Sequence, residues 1–126
     1  MSSEITKEQE PRRPGALKGL KVVEYANSIS GQYCTELLAE LGAEVIKVEP
    51  PEGDELRHYG PFPEDLPHQE KSGLYLWLNN NKLGITLNLR KSTGKKLLLE
   101  LLKDTDVFVE NLTQQTAEES ELDYAR

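Results

Sequence analysis

The sequence holds one cysteine, Cys34, in 126 residues, which excludes an internal disulfide and fits a reducing compartment. Its two histidines, His58 and His68, stand apart from each other and from the cysteine, so no metal-ligand spacing arises and no metal is expected. No apolar run approaches the roughly 20 residues that span a bilayer. The opening residues, among them Glu4, Lys7, Glu8 and Glu10, lack the apolar centre of a signal peptide. These absences point to a cytoplasmic chain. Positive charge is also short: 15 Lys and Arg face 22 Asp and Glu, for a net charge of -7. That balance argues against general affinity for nucleic acid or an anionic membrane, and an anionic ligand would need cations gathered at one spot.

What is present is organised around residues 20–51. Lys21-Val22-Val23-Glu24-Tyr25 is a short β-branched run suited to a strand of a parallel sheet, and Asn27-Ser28-Ile29-Ser30-Gly31 breaks it with turn and capping residues. From Ser30 to Leu41 the apolar Cys34, Leu37, Leu38 and Leu41 share one helical face. They predict an inward stripe with Cys34 in the core, and Gly42 supplies the left-handed residue that ends the helix. Glu44-Val45-Ile46-Lys47-Val48 is the second strand. Two strands joined by a helix cannot form a hairpin, so the pattern predicts a parallel βαβ unit with a right-handed crossover.

Residues 1–16 mix charges with Pro11 and Pro14 and predict a disordered lead-in; residues 17–126 form one α/β segment. Pro50 to Lys71, rich in Pro, Gly and acids, is either a lid over a ligand site or an irregular connection. Ser72 to Asn80 predicts a short helix, and Ile85 to Leu89 a half-buried or edge strand. Ser92 is placed to cap a helix whose stripe is Leu97, Leu98, Leu101 and Leu102. Val107-Phe108-Val109 predicts a buried strand, and Gln114 to Tyr124 a short acidic helix. The fold class is α/β, a partial Rossmann-like parallel sheet with helices on both faces. Further alternation is expected after Arg126, so the segment is expected to be incomplete.

Dinucleotide binding is disfavoured, although Glu49 stands where a ribose-binding acid would. The turn after the first strand offers one glycine, Gly31, where the fingerprint needs three. Ser92-Thr93-Gly94-Lys95 lacks the glycine-rich turn of a phosphate-cradling loop and reads as a capped helix start. Cys34 has no histidine near it in sequence to act as a base, and the carboxylate pairs such as Asp54-Glu55 and Glu64-Asp65 read as solvated charges. What remains is a set of strand ends. Asn27 to Ser30, Pro50-Pro51, Asn88 to Lys91 and Asn111 to Thr113 follow predicted strands, whose carboxyl ends converge on one edge of a parallel sheet. Backbone N–H groups at the helix start by Ser30, with Arg90 or Lys91, could hold a phosphate there; ordinary surface cations are the other reading.

Several blocks carry a family resemblance. Leu17-Lys18-Gly19-Leu20 leads into Val22-Val23-Glu24, and Leu41-Gly42-Ala43-Glu44-Val45-Ile46-Lys47-Val48-Glu49-Pro50-Pro51 precedes Gly53-Asp54. Asn79-Asn80-Asn81-Lys82 with Ile85-Thr86-Leu87-Asn88-Leu89, and Asp106-Val107-Phe108-Val109-Glu110-Asn111, follow in order. Together they resemble the N-terminal part of the class III CoA-transferases, over residues 17–124.

The resemblance implies that coenzyme A or an acyl-CoA lies across the strand ends. The contact positions it carries over are Ile29 and Ser30, Pro50, Leu87, Asn88, Leu89 and Arg90, and Asn111, Leu112 and Thr113. It implies a reaction in which an aspartate attacks the thioester, forms a mixed anhydride and passes CoA to another carboxylic acid. That aspartate is expected beyond the last block seen here, so no catalytic residue is assigned within the chain. The acyl-CoA racemases share this N-terminal fold and are a second reading; a non-catalytic remnant or interaction module is a third. Family members form homodimers of interlocked chains. The present chain departs from the family pattern at Asn27, at Leu112-Thr113-Gln114-Gln115, and at Glu119, where basic, aromatic or Pro-Gly residues are usual.

Overall fold

Strands as rich in Val and Ile as Lys21–Tyr25 and Glu44–Glu49 need cover on both faces, and the architecture supplies it. The computed structural model describes residues 14–122. Its elements are β1 (Lys21–Tyr25), α1 (Ile29–Glu40), β2 (Glu44–Glu49), two short 3-10 helices (Glu55–His58 and Pro63–Asp65), α2 (Gly73–Leu78), β3 (Lys82–Thr86), α3 (Ser92–Leu102), β4 (Val107–Glu110) and α4 (Gln114–Glu119). The four strands form one parallel sheet in the order β3-β2-β1-β4. Val22 of β1 lies level with Val45 on one side and Val107 on the other. In this order the direction of winding reverses between β1 and β4, the place where doubly wound sheets open a crevice at their carboxyl ends.

Strand alternation assigns the two faces. Val22 and Val45 pack with Ala39 of α1 and with Ala43, while Val23 and Val48 pack on the other face with Leu89 and with Leu98 of α3. Helices therefore cover both faces, as the fold class requires. Leu98 is completely buried, a contribution of about 2 kcal/mol. Ser28 caps α1 by accepting from the Gly31 amide, and Gly42, at φ 103°, ends it. The Gly42 and Ala43 amides donate to the carbonyls of Ala39 and Leu38, which satisfies the last turn.

The inward stripe expected for α1 is reversed. Tyr33, Leu37 and Leu41 are 44%, 46% and 52% exposed and Cys34 is exposed, whereas Gln32, Thr35, Glu36 and Ala39 are buried; Leu38 alone of the expected stripe packs against the core. The cause lies in the sheet beneath. Glu24, Lys47 and Glu49 are in phase with Val22 and Val45, so this face is apolar at the amino ends of the strands and ionic at the carboxyl ends. Ala39 meets the valines, and Gln32 and Thr35 meet the charges. The helix turns inward the residues that the sheet can bind.

Three further expectations are corrected. The third strand is Lys82–Thr86 rather than residues 85–89, because Leu87 and Leu89 leave the ladder to pack beneath α3. Lys91, not Ser92, occupies the cap position of α3, and the preceding turn is closed by the Asn88 side chain accepting from the Arg90 amide. β4 pairs only with β1 among the described residues, so Val107, Phe108 and Val109 are half-buried. The last helix ends at Glu119. Residues 1–13 of the expected lead-in, and residues 123–126, lie outside the described residues.

Candidate functional site

The carboxyl ends of the strands are fixed by a buried ionic network. Glu24, fully buried, accepts from Lys47 Nζ at 2.7 Å through Oε1, and from Lys82 Nζ at 2.8 Å and Thr35 Oγ1 at 2.5 Å through Oε2. Lys47 Nζ also lies 2.7 Å from Asp54 Oδ2, which accepts in addition from Gln32 Nε2 at 2.6 Å. The Asp54 amide donates to Glu49 Oε2, and Glu49 is held by Arg57 through two bonds of 2.8 Å and by the Tyr75 hydroxyl. Three acids, Glu24, Asp54 and Glu49, thus face three bases, Lys47, Lys82 and Arg57, so the charges within this network cancel.

The environment moves several of these groups. Burial pushes the Glu49 carboxyl up, but the bonds from Arg57, Tyr75 and the Asp54 amide, with the Arg57 charge, outweigh it and hold the pKa at about 2. Burial and the bond to Glu49 push the Tyr75 hydroxyl up. Burial lowers Lys82 against the opposing pull of Glu24. Every one of these acids is consumed in holding structure.

The network also fixes the loop after β2. Asp54 caps the first 3-10 helix by accepting from the Leu56 amide at 2.7 Å, and Gly53, at φ 86°, closes the turn back to the Pro50 carbonyl. Arg57 reaches the Gln69 carbonyl, and Ser72 Oγ donates to the carbonyls of Leu56 and Tyr59. The segment is irregular, and it is anchored along its length.

Above this frame lies a cleft of about 360 Å³. Tyr25 at the end of β1 with Ala26 and Asn27 forms one side, Asn111 and Leu112 after β4 another, and Val48, Pro50, Glu52 to Glu55 and His58 a third. The β1 and β4 ends are clipped together: the Asn27 amide donates to Asn111 Oδ1 at 2.9 Å, and Asn111 Nδ2 donates to Asn27 Oδ1 at 2.7 Å. At the rim Arg90 Nη2 meets Glu52 at 2.6 and 2.7 Å. Burial, then the Glu52 charge, pushes the Tyr25 hydroxyl up, and Arg90 opposes them.

The expected contact residues divide into three groups. Pro50, Asn111 and Leu112 line the cleft, and Arg90 stands at its rim through Glu52. Ile29 and Ser30 are exposed in the first turn of α1, Asn88 closes the turn before Arg90, and Thr113 caps α4 by accepting from the Thr116 amide. Leu87 and Leu89 direct their side chains into the cluster under α3. Sequence reasoning missed Tyr25, Val48, Glu52 and Asp54 as lining residues, and it missed the ionic network. The available signal was Glu24 and Lys47, opposite charges at registered positions of two otherwise apolar strands.

A crevice at the winding reversal of a parallel sheet, lined by strand ends, is where open α/β folds place their ligand sites. Comparison makes this narrower. The family model CoA-transferase family III matches residues 17–126, and the chain belongs to that family. It is 41% identical over 115 residues to an acyl-CoA transferase of Fusarium pseudograminearum, covering 87% of this chain and 25% of that protein. It is 37% identical over 110 residues to the succinyl-CoA:mesaconate CoA-transferase of Haloarcula marismortui, covering 87% of this chain and 28% of that one. The crystal structure of a CAIB/BAIF family protein from Brucella suis superposes with a TM-score of 0.79 at 35% identity, over 90% of this chain and 30% of the other. The chain thus spans about a quarter of the length of the curated relatives it matches.

Proposed function

We propose that this chain is the coenzyme A-binding part of a CoA-transferase that moves CoA between an acyl-CoA and a carboxylic acid. The observation that carries the reading is the cleft at the winding reversal, bounded by Tyr25 to Asn27 and by Asn111 and Leu112. Its lining fits one end of such a ligand: Val48, Leu112 and the Tyr25 ring offer apolar surface for a purine, the Asn27 and Asn111 amides offer polar edges, and Arg90 stands where a phosphate would leave the cleft. The relatives' names, which specify CoA transfer, favour transfer over racemisation.

Glu24, Glu49 and Asp54 are tied to cations and amides, so the residues described here hold and orient the substrate. The aspartate that forms the mixed anhydride is supplied by other residues of the whole enzyme, which acts in the cytoplasm on small molecules, with no role for nucleic acid or membrane. Among the described residues no helix is long and apolar enough to cross a membrane, and no cluster of acids, His and Cys could hold a metal ion. The whole enzyme is an interlocked homodimer in this reading. The outward face of α1, where Tyr33 stacks on Trp77 with ring centroids 5.8 Å apart, is apolar surface available to that assembly.

Calorimetric titration with CoA tests the binding role. Saturable binding that weakens about tenfold in Arg90→Ala is expected, as loss of a charge-assisted phosphate contact costs about 1.5 kcal/mol or more. Absence of binding would remove the reading and favour a non-catalytic remnant.

A further inference from the structure

We propose that Glu52 competes with a ligand phosphate for Arg90 and thereby sets the affinity of the cleft for phosphorylated ligands. The inference rests on the CoA reading and adds to it a residue that the family resemblance did not single out. Glu52 lines the cleft, and its carboxylate lies against Arg90 at the mouth. Both of its oxygens use the single nitrogen Nη2, at 2.6 and 2.7 Å. Two parallel N–H bonds, the arrangement a guanidinium prefers with a phosphate, are therefore not used by Glu52.

The pair is also easy to open. The Arg90 side chain is 72% exposed and that of Glu52 59%, so solvent screens their attraction and little is lost when they part. The backbones beneath both are fixed. The Asn88 side chain accepts from the Arg90 amide at 3.1 Å, and the Gly53 amide closes the turn that carries Glu52 by donating to the Pro50 carbonyl at 2.9 Å. Exchange of partners therefore needs only side-chain rotation. Of the three acids that line the cleft, Glu52, Asp54 and Glu55, Asp54 is paired with Lys47, and Glu52 is the one whose carboxylate is paired with Arg90.

The experiment compares the unaltered chain, Glu52→Gln, Arg90→Ala and the double variant by titration with CoA and with uncharged adenosine. Glu52→Gln is expected to tighten CoA about two- to fivefold at low salt, to leave adenosine unchanged, and to lose its gain at high salt or in the Arg90→Ala background. An equal gain for adenosine, or a gain that survives without Arg90, would overturn the proposal. Inorganic pyrophosphate, followed through the Arg90 side-chain NMR signals, reads the exchange without CoA. Exchange by pyrophosphate with no CoA binding keeps the competition and removes the CoA reading. CoA binding that Glu52→Gln leaves unchanged keeps the reading and removes the competition, and failure of both probes removes both.

Discussion

Replacing Lys47 by Met keeps the aliphatic stem and removes the ammonium. Lys47 is 1% exposed, and its Nζ lies 2.7 Å from both Glu24 Oε1 and Asp54 Oδ2. In the variant Asp54 keeps its bonds from Gln32 and the Leu56 amide but has no adjacent cation, while Glu24 retains Lys82 and Thr35. Removing one partner of a buried pair costs about 3–5 kcal/mol, and the upper part of that range is expected because two carboxylates lose the same cation. A domain of this kind has about 5–15 kcal/mol in total, so the variant should be close to unfolding. Urea denaturation at neutral pH measures this as a lower midpoint with an unchanged slope. Adding Asp54→Asn removes the charge left behind and should recover about 1 kcal/mol or more of the loss. A cost below about 1 kcal/mol for Lys47→Met, or no recovery in the double variant, would refute the account of a dry, coupled network.

Other perturbations test separate parts of the argument. The Glu49 carboxyl is held at about 2 against an ordinary 4.5, so the stability it contributes is present above about pH 4.5 and is lost as pH falls toward 2. Urea midpoints measured down that range should drop, and Glu49→Gln should flatten the drop. Gly94→Ala would place a Cβ 2.1 Å from the Asn88 carbonyl oxygen, so thermal unfolding should show a net loss of about 1–3 kcal/mol despite alanine's helix preference. Leu98→Ala, at a fully buried site, should cost about 2–5 kcal/mol, whereas Leu37→Ala on the outward face of α1 should cost less than about 1 kcal/mol. Cys34, being exposed, should react with a colorimetric thiol reagent in the folded protein; protection that ends only on unfolding would contradict the orientation of α1.

Much of the fold was legible because its central unit uses local signals that agree. The β-branched runs at residues 21–25 and 44–48, the turn and capping residues 27–31 and the stop at Gly42 predict the βαβ unit found in the structure. The orientation of α1 was not legible from its own residues. Cys34, Leu37, Leu38 and Leu41 form an apolar stripe, but the face of a helix that turns inward depends on what lies beneath it, and there the sheet presents Glu24 and Lys47. The third strand was misplaced because Ile85, Leu87 and Leu89 alternate through a turn: Ile85 stays in the ladder, while Leu87 and Leu89 enter the core on leaving it. For the candidate site, convergence of strand ends points to one edge of the sheet, and Pro50, Asn111 and Leu112 line one cleft there. It could not reveal that Arg90 is engaged by Glu52, since the two are 38 residues apart and meet only through folding.

The most direct test of the central claim is amide NMR mapping of CoA on the folded chain. The account predicts saturable shifts concentrated at Tyr25 to Ser30, Glu52 to Asp54, Arg90 and Asn111, with the amino ends of the strands unaffected. Shifts confined to the opposite edge of the sheet, around Lys21 and Glu44, or no saturable shifts at all, would contradict it.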